Sequence, residues 1–246
     1  MDIGKSLQFS FDDERWISKL GLGALISAIP ILNVAWVGYT VEIMRRAIAK
    51  EGQPLPEWDE LGQRWMDGLY ILIAGLIYAI PGVLLLCMPM GIMIVPAFLE
   101  NQDIQGPLAI FTTTAGLALF CCVGIYFLAF SFFFPAVQIR YSQENSLSSC
   151  FQLRQILLLI RGNLSEYLVA WLFAIVASFI IGLIVSILSA AVGWIPCLGQ
   201  LFVWVVAMVA GAYTGVVTAH LFGQFGSKAI HGLSTSIEDQ EQLQNG

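Results

Sequence analysis

The sequence is poor in charge. Asp, Glu, Lys and Arg make up 11% of its 246 residues, where a soluble domain carries about a quarter. That shortage, with 58% hydrophobic residues and a mean hydropathy of +0.79, excludes a soluble globular enzyme, a disordered chain and a coiled coil. Basic surplus is missing as well: the net charge is −6, so no nucleic-acid-binding footprint is present. Histidine is scarce, with only His220 and His231. Five cysteines (Cys87, Cys121, Cys122, Cys150 and Cys197) include no CxxC pair. A zinc or iron-sulfur site therefore lacks its ligand set, and no cofactor is expected. The cysteines read as small apolar fillers without a structural disulfide. A secretory leader is not expected either, because Asp12, Asp13 and Glu14 are too acidic for its first region.

What remains is apolar sequence in long runs. It implies an all-α integral membrane bundle of about six transmembrane helices plus two interfacial amphipathic helices. The expected spans cover about 13–29, 33–49, 68–88, 107–137, 165–192 and 198–225. The domain order is a cytoplasmic segment over 1–12, a membrane domain over 13–225 and a disordered cytoplasmic tail over 226–246. The first two spans are shorter than the roughly 20 residues a crossing needs, so a re-entrant hairpin over 16–41 is the alternative. The apolar run from Leu84 to Leu99 is broken by Pro89 and Pro96. It is either a long, kinked third span or a fold-back over the outer face, with water beginning near Glu100 and Asp103.

Charge sets the sidedness. With six spans, all 11 Lys and Arg residues fall on one side, and the three opposite connections hold none. The positive-inside rule then puts both termini in the cytoplasm.

The two interfacial helices are expected on that same side. Trp58, Leu61 and Trp65 recur at helical spacing opposite acids and Arg64. Residues 148–161 mix Phe151, Leu157, Leu158 and Ile160 with Arg154 and Arg161. Trp58, Asp59 and Trp65, with Glu42, Arg45 and Arg46 at the inner end of span two, are the candidate interfacial or partner-contact residues. Glu42 has the spacing to pair with both arginines, Asp67 reads as a helix N-cap, and His220 as a donor or acceptor to a neighbouring helix.

Small residues recur every four positions on the last two spans. Ala170, Ala174, Ser178, Gly182, Ser186 and Ala190 form one stripe, and Ala207, Gly211, Gly215, Ala219 and Gly223 the other. Because apolar side chains gain little from one another in lipid, such stripes predict close packing of these two helices, with Gly182, Gly211 and Gly215 at the contact.

Catalytic kits are absent from the sequence: HExxH, GxSxG, a phosphate-binding Gly-rich loop and acids deep in the spans.

One set of residues resembles a known family. Phe11-Asp12-Asp13-Glu14-Arg15-Trp16, Ile29-Pro30-Ile31-Leu32-Asn33, Gly38-Tyr39, Glu42, Arg45-Arg46, Leu55-Pro56-Glu57-Trp58-Asp59, Asp67-Gly68-Leu69 and Gly223-Gln224 resemble the prokaryotic multi-pass membrane family known as domain of unknown function 4013. The resemblance implies a compact inner-membrane helical domain and assigns no catalytic or ligand residue. Together these readings lead to an expectation of a non-enzymatic membrane scaffold or assembly partner. Its partners would be the lipid bilayer and other membrane proteins or further copies of the chain. The alternative is a small transporter or channel for an apolar or neutral solute.

Overall fold

Ile29 is extended (φ −98°, ψ 118°), and Pro30 follows it at the first position of a new helix, where its missing N–H leaves no bond unmade. That one residue separates α2 (Trp16–Ala28) from α3 (Pro30–Ala49). The computed structural model describes residues 3–50, 55–98 and 102–244; Pro54, Leu99 and Glu100 lie outside them. The described residues form an all-α membrane bundle. α1 (Ile3–Gln8) precedes the α2–α3 hairpin, and α4 (Leu61–Ile94) and α5 (Gln102–Glu144) follow it. A short amphipathic helix, α6 (Leu153–Gly162), then leads into α7 (Leu164–Val192) and α8 (Leu198–Gln244).

Four of these helices are long and apolar enough to cross a membrane: α4, α5 from Gly106, α7, and α8 as far as Ile230. Of the six expected spans, the last four correspond to these helices, and α2 and α3 are not among them. α2 has only 13 residues, and α3 ends in Glu42, Arg45 and Arg46. The middle of α3 packs on protein: Ala35, Trp36, Tyr39, Ile43 and Met44 are buried, with Ala212, Val216 and Ala219 of α8 in the same core, while Ile31 and Leu32 at its start are exposed.

The same packing fixes how far the hairpin reaches. A Cβ on Gly215 would lie 3.5 Å from the Trp36 ring, and one on Gly226 3.1 Å from Ile48. α3 therefore runs alongside α8 in the same direction. Its first residue, six positions before Trp36, ends about 9 Å further along. That is level with the region of Val209, so the first turns of α8 have no α3 beside them.

The chain divides into two compact units, Met1–Leu72 with Ala136–Gly246, and Ile73–Pro135. Within the second unit the far part of α4 pairs with the near part of α5. Gly75 faces Phe134, Gly82 faces Tyr126 and Phe127, and Tyr126 donates its hydroxyl to the Tyr78 carbonyl. α4 stays helical through Pro81 and Pro89 and gives way to a 3₁₀ turn over Val95–Phe98. Gly116 of α5 meets Met93, so this stretch is a continuation of the third span.

Two further expectations change. The amphipathic helix expected over residues 57–65 does not form, since 55–60 are non-helical and α4 begins at Leu61. The last helix does not stop at Phe225, where the tail was expected to begin. It continues to Gln244, and Gly226, Ser227 and Ala229 are buried because this turn still packs on Ile48 and Ile139.

Candidate functional site

Two polar clusters lie in the first unit, and each ties an irregular segment or helix end to α3. The first is built on Leu55–Asp59, which forms a strap. Leu55 is buried, and its carbonyl accepts the Lys19 ammonium at 3.0 Å. The Pro56 carbonyl accepts the Tyr39 hydroxyl at 3.0 Å. Glu57 pairs with Lys19 at 2.9 Å, and Asp13 completes that cation's shell at 2.7 Å. A buried ammonium is tolerated only when its donors and charge are met, and here two carboxylates and a carbonyl meet them. Burial alone would raise the Asp13 carboxyl. Its bonds from Lys19 and the Arg15 N–H outweigh that and hold it below the ordinary carboxylate value.

Trp58 is the strap's aromatic plug. Its ring stacks on Tyr39 with 4.2 Å between centroids, and Trp36 lies against both rings, 5.4 Å from Tyr39 and 6.2 Å from Trp58. Its indole N–H donates to the Lys19 carbonyl at 3.1 Å. Arg64, one turn into α4, lies over both Tyr39 and Trp58 and pairs with Asp59 at 3.1 Å. Trp58 is therefore a partly buried residue packed on α3 and the end of α4. Trp65 is likewise bound to protein: its N–H donates to the Ile31 carbonyl at the hairpin turn, 3.0 Å away.

The second cluster joins α3, α4 and α5. Glu42 accepts from Arg45 at 2.5 Å and from Arg46 at 3.0 Å. Arg45 extends to Asp67 at 3.4 Å and donates to Asn145. The other Asp67 oxygen accepts the Tyr141 hydroxyl at 2.7 Å, and Tyr141 is fully buried. Asn145 supplies its side chain from a left-handed conformation (φ 51°) just past the end of α5, a position asparagine tolerates. The predicted pairing of Glu42 with both arginines is present. Asp67, expected as an N-cap, lies inside α4 and is a link in this chain of bonds.

Glycine brings these helices close enough to bond. A methyl on Gly38 would land on the Arg64 carbonyl oxygen, and one on Gly68 on the Val34 carbonyl oxygen. The α3–α4 crossing thus excludes any side chain at either position. A third, smaller group lies on α8. His220 stacks on Phe9 at 3.9 Å between centroids, and its Nδ1 and Gln224 both approach the Ser6 hydroxyl, at 3.3 and 3.2 Å. This docks the N-terminal segment, which sequence reading left as a plain cytoplasmic extension.

The stripe residues are redistributed. α7 and α8 do pack closely on each other, with the Tyr167 ring against Phe222 and Phe225 and with Ala170 buried nearby on α7, but not through the predicted glycines. Gly182 and Gly211 are exposed, and a Cβ on either meets nothing within 4 Å. Gly215 and Gly223 pack on α3, the latter against Ala47 and Met44. The reason is geometric. A four-residue repeat advances about 40° per step around a 3.6-residue helix. The stripe on α7 therefore turns out of the α8 contact between Ala170 and Gly182, and the one on α8 turns into α3.

Sequence reasoning missed Lys19, Tyr39, Tyr141 and Asn145 as members of these clusters. A lysine and two tyrosines inside or beside apolar runs are the available signal, since each needs a polar partner when buried. Nothing local names the partner. Among the described residues, no three of His, Cys, Asp and Glu come together in a group able to hold a metal ion.

A family model, described as protein of unknown function (DUF4013), matches residues 22–190. No curated protein and no solved structure matches the chain.

Proposed function

The chain belongs to the DUF4013 family, whose function is unknown, and from its own geometry we propose that it is a non-enzymatic membrane scaffold or assembly partner. One observation carries this reading. The charged groups of the polar clusters pair within the chain, while α7 leaves Ser178, Gly182 and Ser186 exposed along a helix otherwise faced with large apolar residues. A groove of small residues in lipid lets another helix approach backbone to backbone. The partner is another membrane protein or a second copy.

We also propose a cell-membrane location in a prokaryote, with both termini cytoplasmic. In support, the basic residues lie at one end of the four long helices. Arg64 is at the start of α4, Arg140 near the end of α5, and Lys228 near the end of the apolar part of α8. The links on the opposite side, at 95–105 and 193–197, have no Lys or Arg.

The test is native mass spectrometry of the protein released with its surrounding lipid. Co-release of a second protein, or a discrete homo-oligomer lost in Gly182→Leu, supports the scaffold. A lone monomer whose deletion alters solute uptake overturns it and favours a carrier.

A further inference from the structure

We propose that the outward face of α6 is a recognition surface for anionic phospholipid headgroups. α6 buries Ile156, Leu159 and Ile160 against the protein. Arg154 and Arg161 are seven residues apart, so they point within about 20° of each other, away from that buried side. Leu157 and Leu158 flank them and are 43% and 59% exposed. The outward face is thus two guanidinium groups bracketing two aliphatic side chains.

The position of this face selects its occupant. Asn163 is the only residue between α6 and α7, and α7 is long and apolar enough to cross a membrane. A helix joined that closely to a span lies at the headgroup layer. There leucines reach the acyl boundary while arginine heads stay among the phosphates. The helix is also held in place. Arg140, near the end of α5, donates to Gln152 at 3.0 Å and to Gln155, and Gln152 donates to Glu144 at 3.1 Å.

Charge points to anionic rather than zwitterionic lipid. The chain as a whole is acidic, yet residues 145–165 contain Arg154 and Arg161 and no Asp or Glu. The flanking acids are committed elsewhere, Glu144 to Arg140 and Glu166 to Lys228. Arg154 and Arg161 have no ion-pair partner among the described residues. Their charge is open to a phosphate-bearing surface, and a single arginine near such a surface changes affinity about fivefold.

The experiment uses the full-length protein in nanodiscs holding equal parts phosphatidylglycerol and phosphatidylcholine. Lipids are stripped stepwise, and those retained are counted by native mass spectrometry. The wild type is expected to retain phosphatidylglycerol over phosphatidylcholine. Arg154→Gln/Arg161→Gln loses that preference, Arg154→Lys/Arg161→Lys keeps most of it, and Lys50→Gln, at the exposed end of α3, leaves it unchanged. Raising salt to about 1 M, where screening acts over roughly 3 Å, should erase it in the wild type without any substitution. No preference in the wild type, a preference that survives the double glutamine change, or one that survives high salt overturns the proposal.

Discussion

The Tyr141 hydroxyl donates to Asp67 at 2.7 Å across 74 residues of sequence, and Asp67 passes the contact on to Arg45. This pair is where α3, α4 and α5 are fastened together. Losing either partner leaves a buried polar group of the other unmet, at a cost of about 1–3 kcal/mol. Tyr141→Phe and Asp67→Ala should each lower stability by at least that amount in detergent-solubilised thermal unfolding. The double variant should cost clearly less than the sum, because both changes remove one bond. Full additivity would show that the contact carries no coupling.

Gly38 and Gly68 test the α3–α4 crossing. Alanine at either would collide with a backbone carbonyl, which cannot swing aside as a side chain can. Each should destabilise by at least the roughly 1–3 kcal/mol of ordinary overpacking. Gly211→Ala is the control. It meets nothing within 4 Å, and alanine is the better helix former, so its melting temperature should be unchanged or higher.

Trp58 tests the strap. Trp58→Ala removes the stack on Tyr39, the bond to the Lys19 carbonyl and the surface under Arg64. Trp58 is partly buried, so the cost should not exceed the roughly 3–5 kcal/mol of removing a fully buried Trp. Hydrogen exchange at residues 55–60 should rise in this variant. In Trp58→Phe, which keeps a ring but no N–H donor, it should rise less. Unchanged exchange in Trp58→Ala would mean that the strap is held by its bonds to Lys19, Tyr39 and Arg64 without the ring.

Acid should loosen the same strap. Asp13 has a carboxyl held below its ordinary value in the folded state. Its contribution is therefore present above the unfolded value and lost as pH falls through the folded one. Wild-type melting temperature should drop more steeply below pH 4 than that of Asp13→Asn, which has nothing left to protonate there. Parallel curves would remove Asp13 from the account.

Cysteine labelling tests the proposed sidedness. Cys197 is exposed in the turn before α8, on the side without basic residues, while Cys87, Cys121 and Cys122 lie within the apolar helices. Burial pushes the Cys150 thiol up to about 11, so at neutral pH it is both covered and protonated. A membrane-impermeant maleimide added to intact cells should modify Cys197 and lose its signal in Cys197→Ser. Labelling of Cys197 only after the membrane is opened would reverse the proposed orientation.

Hydropathy and local punctuation determined much of this protein without any tertiary information. The apolar runs of α4, α5, α7 and α8 follow from residue type alone. The end of α7 at Val192 and the start of α8 at Leu198 lie where sequence reading put them. α6 was legible too, because its pattern closes within ten residues. The pairing of Glu42 with Arg45 and Arg46 could be read because three- and four-residue spacing sets helix neighbours directly. The tertiary structure decided which apolar helices face lipid and which face protein. α2 and α3 have the composition of short spans, but Leu20, Ala24, Ala35, Trp36, Tyr39 and Ile43 are buried in a core shared with α8 and the strap, while Ile17, Leu25 and Ile31 are exposed. It also turned the α7 stripe away from α8, since a four-residue repeat does not stay on one face of a 3.6-residue helix. It chose Tyr141 for Asp67 and Trp58 for Tyr39. Burial demands a partner for every polar group, but sequence does not say which distant residue the fold will bring to it.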